Sequence, residues 1–233
     1  MKSILVSALL LGTILVTGSC GGSEDNNAAF KSSIVDASGE SGKLSIYLVD
    51  AAASTTARIN EDPTVVNISG TVEVANGTTE LTGTYDTTND VIILDGGDYS
   101  FVGETTTDGK ISGDYTKGLE EGIFAGFDSS TNTVLVYCGT YTSSDCTAPG
   151  CSGVWSATTS SGGYASGTYF GNDGVSNGTL WGTFTNNTMS GEDDHGSIMT
   201  GTVSNGAVTG TWTLEDEGTT TTGTFEASTE SCP

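Results

Sequence analysis

The stretch Val208-Thr209-Gly210-Thr211-Trp212-Thr213-Leu214 decides the fold class of this 233-residue chain. Its three threonines alternate with apolar residues and one glycine. Successive side chains of a β-strand point to opposite faces, so this alternation predicts a strand with one buried face and one solvated face. Gly210 belongs to the buried face, where it leaves space for an aromatic side chain of a neighbouring strand. The pattern therefore predicts that Gly210 points inward and Thr211 outward.

The same pattern recurs along the chain as an apolar residue, any residue, Gly, usually Thr, and an apolar or aromatic residue. The copies cover residues 68–72, 81–85, 111–115, 137–141, 165–169, 180–184, 199–203, 208–212 and 221–225. Successive copies lie mostly 9 to 19 residues apart, which is one strand and one turn. Asn-Gly and Asp-Gly pairs between them supply the positive φ of tight hairpins. This spacing predicts antiparallel neighbours in a meander.

We therefore expect an all-β fold, an antiparallel up-and-down meander barrel of about ten or more strands. Two alternatives stay open, namely two small meander units that divide near Ser129 and a two-sheet sandwich. The barrel domain is expected over residues 43–233. Residues 20–42 are mostly small and polar, which predicts a flexible tether.

The N-terminus has the pattern of an export signal, with a basic Lys2 and an apolar run over residues 4–16. Gly18-Ser19-Cys20 resembles the lipobox of bacterial lipoproteins. This resemblance implies that residues 1–19 are removed and that Cys20 carries the lipid that binds the membrane. Gly21 in place of Asp, and the acidic Ser23-Glu24-Asp25, resemble sorting signals for the outer membrane and its surface.

The remaining cysteines are Cys138, Cys146, Cys151 and Cys232. Lipidation of Cys20 leaves this even number, which suits disulfides in an oxidising compartment. Four cysteines allow three pairings, and we favour Cys146–Cys151 with Cys138–Cys232. No histidine lies near them, so a zinc site is not indicated.

The Gly-Thr-aromatic strands resemble those of calycin-like β-barrel lipoproteins and, more remotely, lipocalins and avidins. Gly153-Val154-Trp155 and Gly210-Thr211-Trp212 have the Gly-x-Trp pattern of lipocalins. The resemblance implies a barrel that carries a small ligand. Without Lys2, five basic residues face 29 acidic ones, which gives a formal charge near −24. Such a surface repels nucleic acid and anionic lipid. It suits solubility or divalent cations.

Glu192, Asp193, Asp194 and His195 form the one constellation that suggests chemistry, and His195 is the only histidine. Their oxygens and imidazole predict a site for a divalent cation such as calcium, with a solvated acidic hairpin as the simpler interpretation. No other cofactor is indicated. By strand parity, Trp181 points outward among hydroxyls, where its ring would stack on a sugar or pack against the barrel.

The leading hypothesis is a lipid-anchored envelope protein with a non-catalytic binding or structural role. No Gly-x-Ser-x-Gly nucleophile motif is present, and we do not expect an enzyme. The rival hypotheses are a small-ligand carrier with an open barrel and a glycan-directed hydrolase that uses scattered carboxylates. An apolar cavity of a few hundred Å³ would favour the carrier. Outward Thr pairs on a flat array would favour binding to a flat surface such as ice.

Overall fold

The computed structural model describes residues 28–49, 64–146, 149–216, 218–230 and 232, so the predicted export signal and Cys20 lie outside it. The described residues form two closed antiparallel barrels of eight strands each. The strands of the first are β1 Phe30–Asp36, β2 Ser41–Leu48, β3 Val65–Val74, β4 Gly77–Asp86, β5 Val91–Gly96, β6 Tyr99–Thr105, β7 Lys110–Lys117 and β8 Glu120–Asp128. Those of the second are β9 Val134–Ser143, β10 Ser152–Ser160, β11 Tyr164–Gly171, β12 Asn177–Thr185, β13 Thr188–Asp193, β14 Ile198–Ser204, β15 Ala207–Asp216 and β16 Thr219–Ser228.

The all-β antiparallel meander is confirmed, but the prediction of one barrel of ten or more strands is wrong. Strand β8 returns to pair with β1, with Phe124 opposite Ile34, and this closes the first ring. Strand β16 pairs with β9 in the same way. Eight strands enclose an interior that side chains can fill, which makes this closure favourable. The chain passes from one barrel to the other between Asp128 and Val134, at the division that the two-unit alternative placed near Ser129.

These closed barrels agree with the β-barrel type that the calycin-like resemblance implies. All strands in the described part of the chain belong to these curved barrels, so they provide no flat array of threonines, and this argues against the flat-surface hypothesis. The structure also differs from the predicted tether over residues 20–42, since Phe30–Asp36 forms β1 and the first residues of β2 follow. Ser32, Ser33 and Asp36 are all fully buried in β1. A strand covered on both faces need not alternate between apolar and polar residues, and so its sequence resembled a tether.

The interior of the first barrel is filled with side chains. The rings of Tyr99, Phe101 and Tyr115 stack in sequence, with centroids 5.8 and 4.8 Å apart. Phe124 meets Phe101 edge-on at 5.7 Å and is fully buried. Aliphatic side chains such as Leu44 and Ile92 close the remaining space.

Both barrels contain the same packing unit, built from paired glycines and one phenylalanine. In the first barrel, Cβ atoms added to Gly103 or Gly113 would overlap the ring of Phe124. In the second, Cβ atoms added to Gly201 or Gly210 would overlap the ring of Phe225. The inward orientation predicted for Gly210 is therefore confirmed.

The partner glycines on β8 and β16 complete this unit. Gly122 lies under the ring of Tyr115, and Gly223 lies under the ring of Trp212. These correspondences align β7 with β15 and β8 with β16.

The two barrels contact each other through β1, β2 and β8 on one side and β9, β10, β11 and β12 on the other. Hydroxyl groups make the polar contacts, since Ser156 donates to the carbonyl of Ile34 at 3.4 Å and Thr158 donates to that of Ala125 at 3.3 Å. Phe127 packs edge-on against Trp181 with centroids 5.9 Å apart. This interface buries the outer faces of the strands that meet there.

Two disulfides, Cys138–Cys232 and Cys146–Cys151, confirm the favoured pairing. The first links β9 to the chain beyond β16, next to the seam where the second barrel closes. The second closes the connection between β9 and β10, which includes a short 3₁₀ turn at Pro149–Cys151. Among the described residues, no helix has the length and apolarity needed to cross a bilayer.

Candidate functional site

A cavity of about 690 Å³ opens at one end of the second barrel. Its mouth lies among the hairpins that connect β9 to β10, β11 to β12, β13 to β14 and β15 to β16. These hairpins meet at one end because every strand runs antiparallel to its neighbours. Leu214 and Thr221 line the mouth on β15 and β16. The site is therefore formed by strand ends and the turns that join them.

Three aromatic side chains form the walls of the cavity. Tyr141 lies between the other two, with its ring centroid 5.7 Å from that of Tyr169 and 6.3 Å from that of Trp212, edge-on to both. Each belongs to the inward set of its strand, on β9, β11 and β15. Such rings present both apolar surface and the negative faces of their π-systems.

Trp155 lies deeper in the same cavity and is almost fully buried. Its indole Nε1 donates to the carbonyl oxygen of Glu226 at 3.0 Å, and its ring meets Phe225 edge-on at 4.6 Å. Met199 lines the cavity from β14. The interior end of the cavity is thus apolar and closed by well-ordered packing.

Acidic groups form one edge of the cavity where β13 turns into β14. The buried carboxylate of Asp193 accepts the backbone N–H groups of His195 and Ser197 at 3.0 and 2.7 Å. The exposed carboxylate of Asp194 lies 2.9 Å from the imidazole Nδ1 of His195. That same Nδ1 lies 3.2 Å from the hydroxyl of Tyr169. Aromatic wall and acidic edge are therefore joined by hydrogen bonds.

The tyrosines of the wall stay protonated over a wide pH range. Burial raises the pKa of Tyr169, and the negative charge of Asp193 raises it further. Burial raises the pKa of Tyr141 to about 12, with a smaller contribution from Asp173. The hydroxyl of Tyr141 donates to the carbonyl of Gly150 at 3.0 Å, which fixes the β9–β10 connection over the cavity. Both side chains act as neutral hydrogen-bonding groups at physiological pH.

The predicted metal ligands are only partly brought together. Ligand atoms of Asp193, Asp194 and His195 lie within 4.8 Å of one another. Glu192 is exposed on the outer face of β13, because it precedes the inward Asp193 by one residue. The binding of a divalent cation at the three remaining residues stays a prediction.

Trp181 lies on the outer face of the second barrel, as its parity predicts, where it is half-buried. Its ring contacts Phe127, and the ammonium of Lys110 lies 5.3 Å from its centroid. Both neighbours belong to the first barrel, so Trp181 takes part in the contact between barrels. Stacking on a sugar ring stays a prediction.

The aromatic walls were missed as site residues, because Trp155, Tyr169 and Trp212 have the pattern of core residues. One signal was available in the sequence. Tyr141, Tyr169 and Trp212 are the last residues of their repeats, so they lie where the strands approach the turns. Their strands β9, β11 and β15 all run toward the open end of the barrel.

A comparison with models of protein families finds no match to this chain. A search of curated proteins also finds none. Among solved structures, the chain is similar to one described as intact Ap-TbpB with its N and C lobes, at 12% identity and a TM-score of 0.33. The similarity covers 86% of this chain and 46% of that one, so the chain spans less than half of its length.

Proposed function

We propose that this protein is a non-catalytic binding protein that holds a small organic ligand in the cavity of its second barrel. The cavity supports this proposal, since its volume of about 690 Å³ falls in the range of small-molecule sites. Its walls are aromatic, and its polar groups lie at the strand ends around the mouth. This combination is typical of a site that orients a ligand with an apolar body.

In this proposal the first barrel has a structural role and the second barrel binds the ligand. The first barrel is filled by its aromatic stack and provides rigid support through the interface at β1 and β8. The second keeps an opening where the walls end. The lipid expected on Cys20 would hold both at the outer membrane, with the cavity facing the aqueous side.

Binding of a neutral aromatic dye, N-phenyl-1-naphthylamine, tests this function. We expect its fluorescence to rise on binding to the purified chain. Leu214→Trp places an indole in the cavity and should weaken binding by about tenfold or more. Thr211→Trp, on the exposed outer face of the same strand, is the matched control and should change affinity less than about twofold.

Two results would contradict the proposal. One is an absence of dye binding by the unaltered chain. The other is equal binding by the Leu214→Trp and Thr211→Trp variants, which would place the dye outside the barrel.

A further inference from the structure

Acidic side chains are concentrated at the open end of the second barrel. Each of its four hairpins there carries at least one carboxylate. These side chains, which we call the acidic rim, are Asp145, Asp173, Asp193, Asp194, Glu215 and Asp216. A hydrogen bond from Thr222 lowers the pKa of Asp145, and one from Ser176 lowers that of Asp173. Both therefore stay charged at neutral pH.

The second barrel has no lysine or arginine side chain to balance this charge. From Val134 to Ser228 the sequence contains neither lysine nor arginine. The hairpins at the opposite end, at residues 161–163, 186–187 and 205–206, carry no acidic residue. Carboxylates around a low-dielectric opening concentrate the electric field there and raise the local concentration of cations.

The first barrel has a comparable arrangement at its corresponding end, but with a cation of its own. The ammonium of Lys117 lies 5.3 Å from the ring centroid of Tyr99. It also forms an ion pair with Glu40, whose carboxylate accepts the hydroxyl of Tyr99 at 3.0 Å. An ammonium group thus lies between an aromatic ring and a carboxylate at this end of the barrel.

The residue that corresponds to Lys117 in the second barrel is Leu214. The alignment follows from Gly113 and Tyr115 on β7, which match Gly210 and Trp212 on β15 in sequence spacing and in packing. The second barrel therefore keeps aromatic rings and carboxylates around its opening and lacks the ammonium.

Building on the proposed function, we propose that the ligand is an organic cation, an ammonium group on a small apolar body. The acidic rim draws it to the opening, and its charged head lies against Tyr141, Tyr169 and Trp212 beside Asp193 and Asp194. The faces of these rings attract a cation within about 6 Å of their centroids. The apolar body occupies the deeper part of the cavity next to Trp155 and Met199.

The test compares choline with 3,3-dimethylbutan-1-ol, which has the same shape but a carbon in place of the charged nitrogen. Calorimetric titration of the full chain at low salt should give a choline affinity at least about tenfold higher than that of the alcohol. Added sodium chloride should reduce this preference, since salt screens the acidic rim.

Two pairs of measurements locate the cation. Leu214→Lys supplies an internal ammonium and should lower choline affinity by about tenfold or more, while Thr211→Lys, which adds the same charge on the exposed outer face of β15, should stay within about twofold. Asp194→Asn removes one charge and should weaken the binding of choline by a larger factor than the binding of the neutral naphthylamine dye.

Equal affinities for choline and the alcohol, or full choline affinity in Leu214→Lys, would overturn the inference. Displacement of choline by calcium chloride at far lower concentration than by sodium chloride would overturn it in favour of a metal site. If the dye binds but choline is not preferred over the alcohol, the inference of an organic cation is wrong and the proposed function is unaffected. If neither the dye nor choline binds, both the inference and the proposed function are wrong.

Discussion

At Gly210 the absence of a side chain lets the ring of Phe225 cross the inner face of β15. A Cβ atom there would overlap both that ring and the carbonyl of Thr200. We expect Gly210→Val to destabilise the protein by about 1 to 3 kcal/mol, which is the usual cost of overpacking. Valine has the higher β-propensity, but the whole β-propensity scale spans only about 1 kcal/mol, so the cost of overpacking is larger. Thermal and urea melts of the purified variant measure this change.

Thr211→Val is the control, since Thr211 is exposed on the opposite face of the same strand. Its stability should change by less than about 0.5 kcal/mol. A neutral or stabilising Gly210→Val would mean that the ring of Phe225 does not lie against this position.

Residue-level reasoning from the sequence singled out the acidic edge of the candidate site and missed its aromatic walls. The only histidine and its acidic neighbours identified Asp193, Asp194 and His195, because such residues stand out by type. Tyr141 and Trp212 did not stand out, since inward aromatics look alike whether they fill a core or border an opening. Whether an inward aromatic borders an opening depends on the side chains at the end of the barrel. In the first barrel, Lys117 and Glu40 occupy that end.

At the scale of elements, the two disulfides make different contributions to the second barrel. Cys138–Cys232 spans 94 residues, whereas Cys146–Cys151 spans 5. Loop-closure entropy predicts a stabilisation of about 5 kcal/mol for the first and about 2 kcal/mol for the second. We expect Cys138→Ala/Cys232→Ala to lower the melting temperature more than Cys146→Ala/Cys151→Ala.

The same pair of variants separates stability from binding. Loss of Cys146–Cys151 frees the connection that Tyr141 holds through Gly150, so dye affinity should fall while the fold persists. If removal of Cys146–Cys151 lowered the melting temperature more than removal of Cys138–Cys232, the ranking of the two disulfides by loop-closure entropy would be wrong.

Strand positions were largely predictable because local alternation specifies them, as in β15, whose repeat was read with the correct faces. Strand β1 was not predictable in this way. The strand contacts β10 and β11 of the second barrel, and its Ser33 donates to the carbonyl of Ala125 in β8, so neither contact is local in sequence. The closure of β8 on β1 is likewise a pairing between residues about 90 positions apart, such as Ile34 and Phe124. No short pattern encodes such a pairing.

At the scale of the whole molecule, the lipid expected on Cys20 would provide the attachment to the membrane. Cys20→Ser should therefore move the protein from the membrane fraction to the soluble fraction of the cells. The physical reason is that the acidic surface is repelled by anionic headgroups and cannot hold the chain there. Fractionation with high-salt washing measures this, and a Cys20→Ser protein that stays with the membrane would refute the anchor.

Closure of both barrels also affects how neighbouring copies behave when a lipid crowds them on one surface. Each described strand is hydrogen-bonded on both sides, so neither ring offers an unpaired edge to another chain. Edge strands are the templates on which β-proteins add foreign strands and grow into fibrils. A dense layer of these molecules would therefore remain a collection of separate particles. The hydrogen-bond ladder of each sheet is closed within its own barrel and cannot continue into a neighbouring molecule.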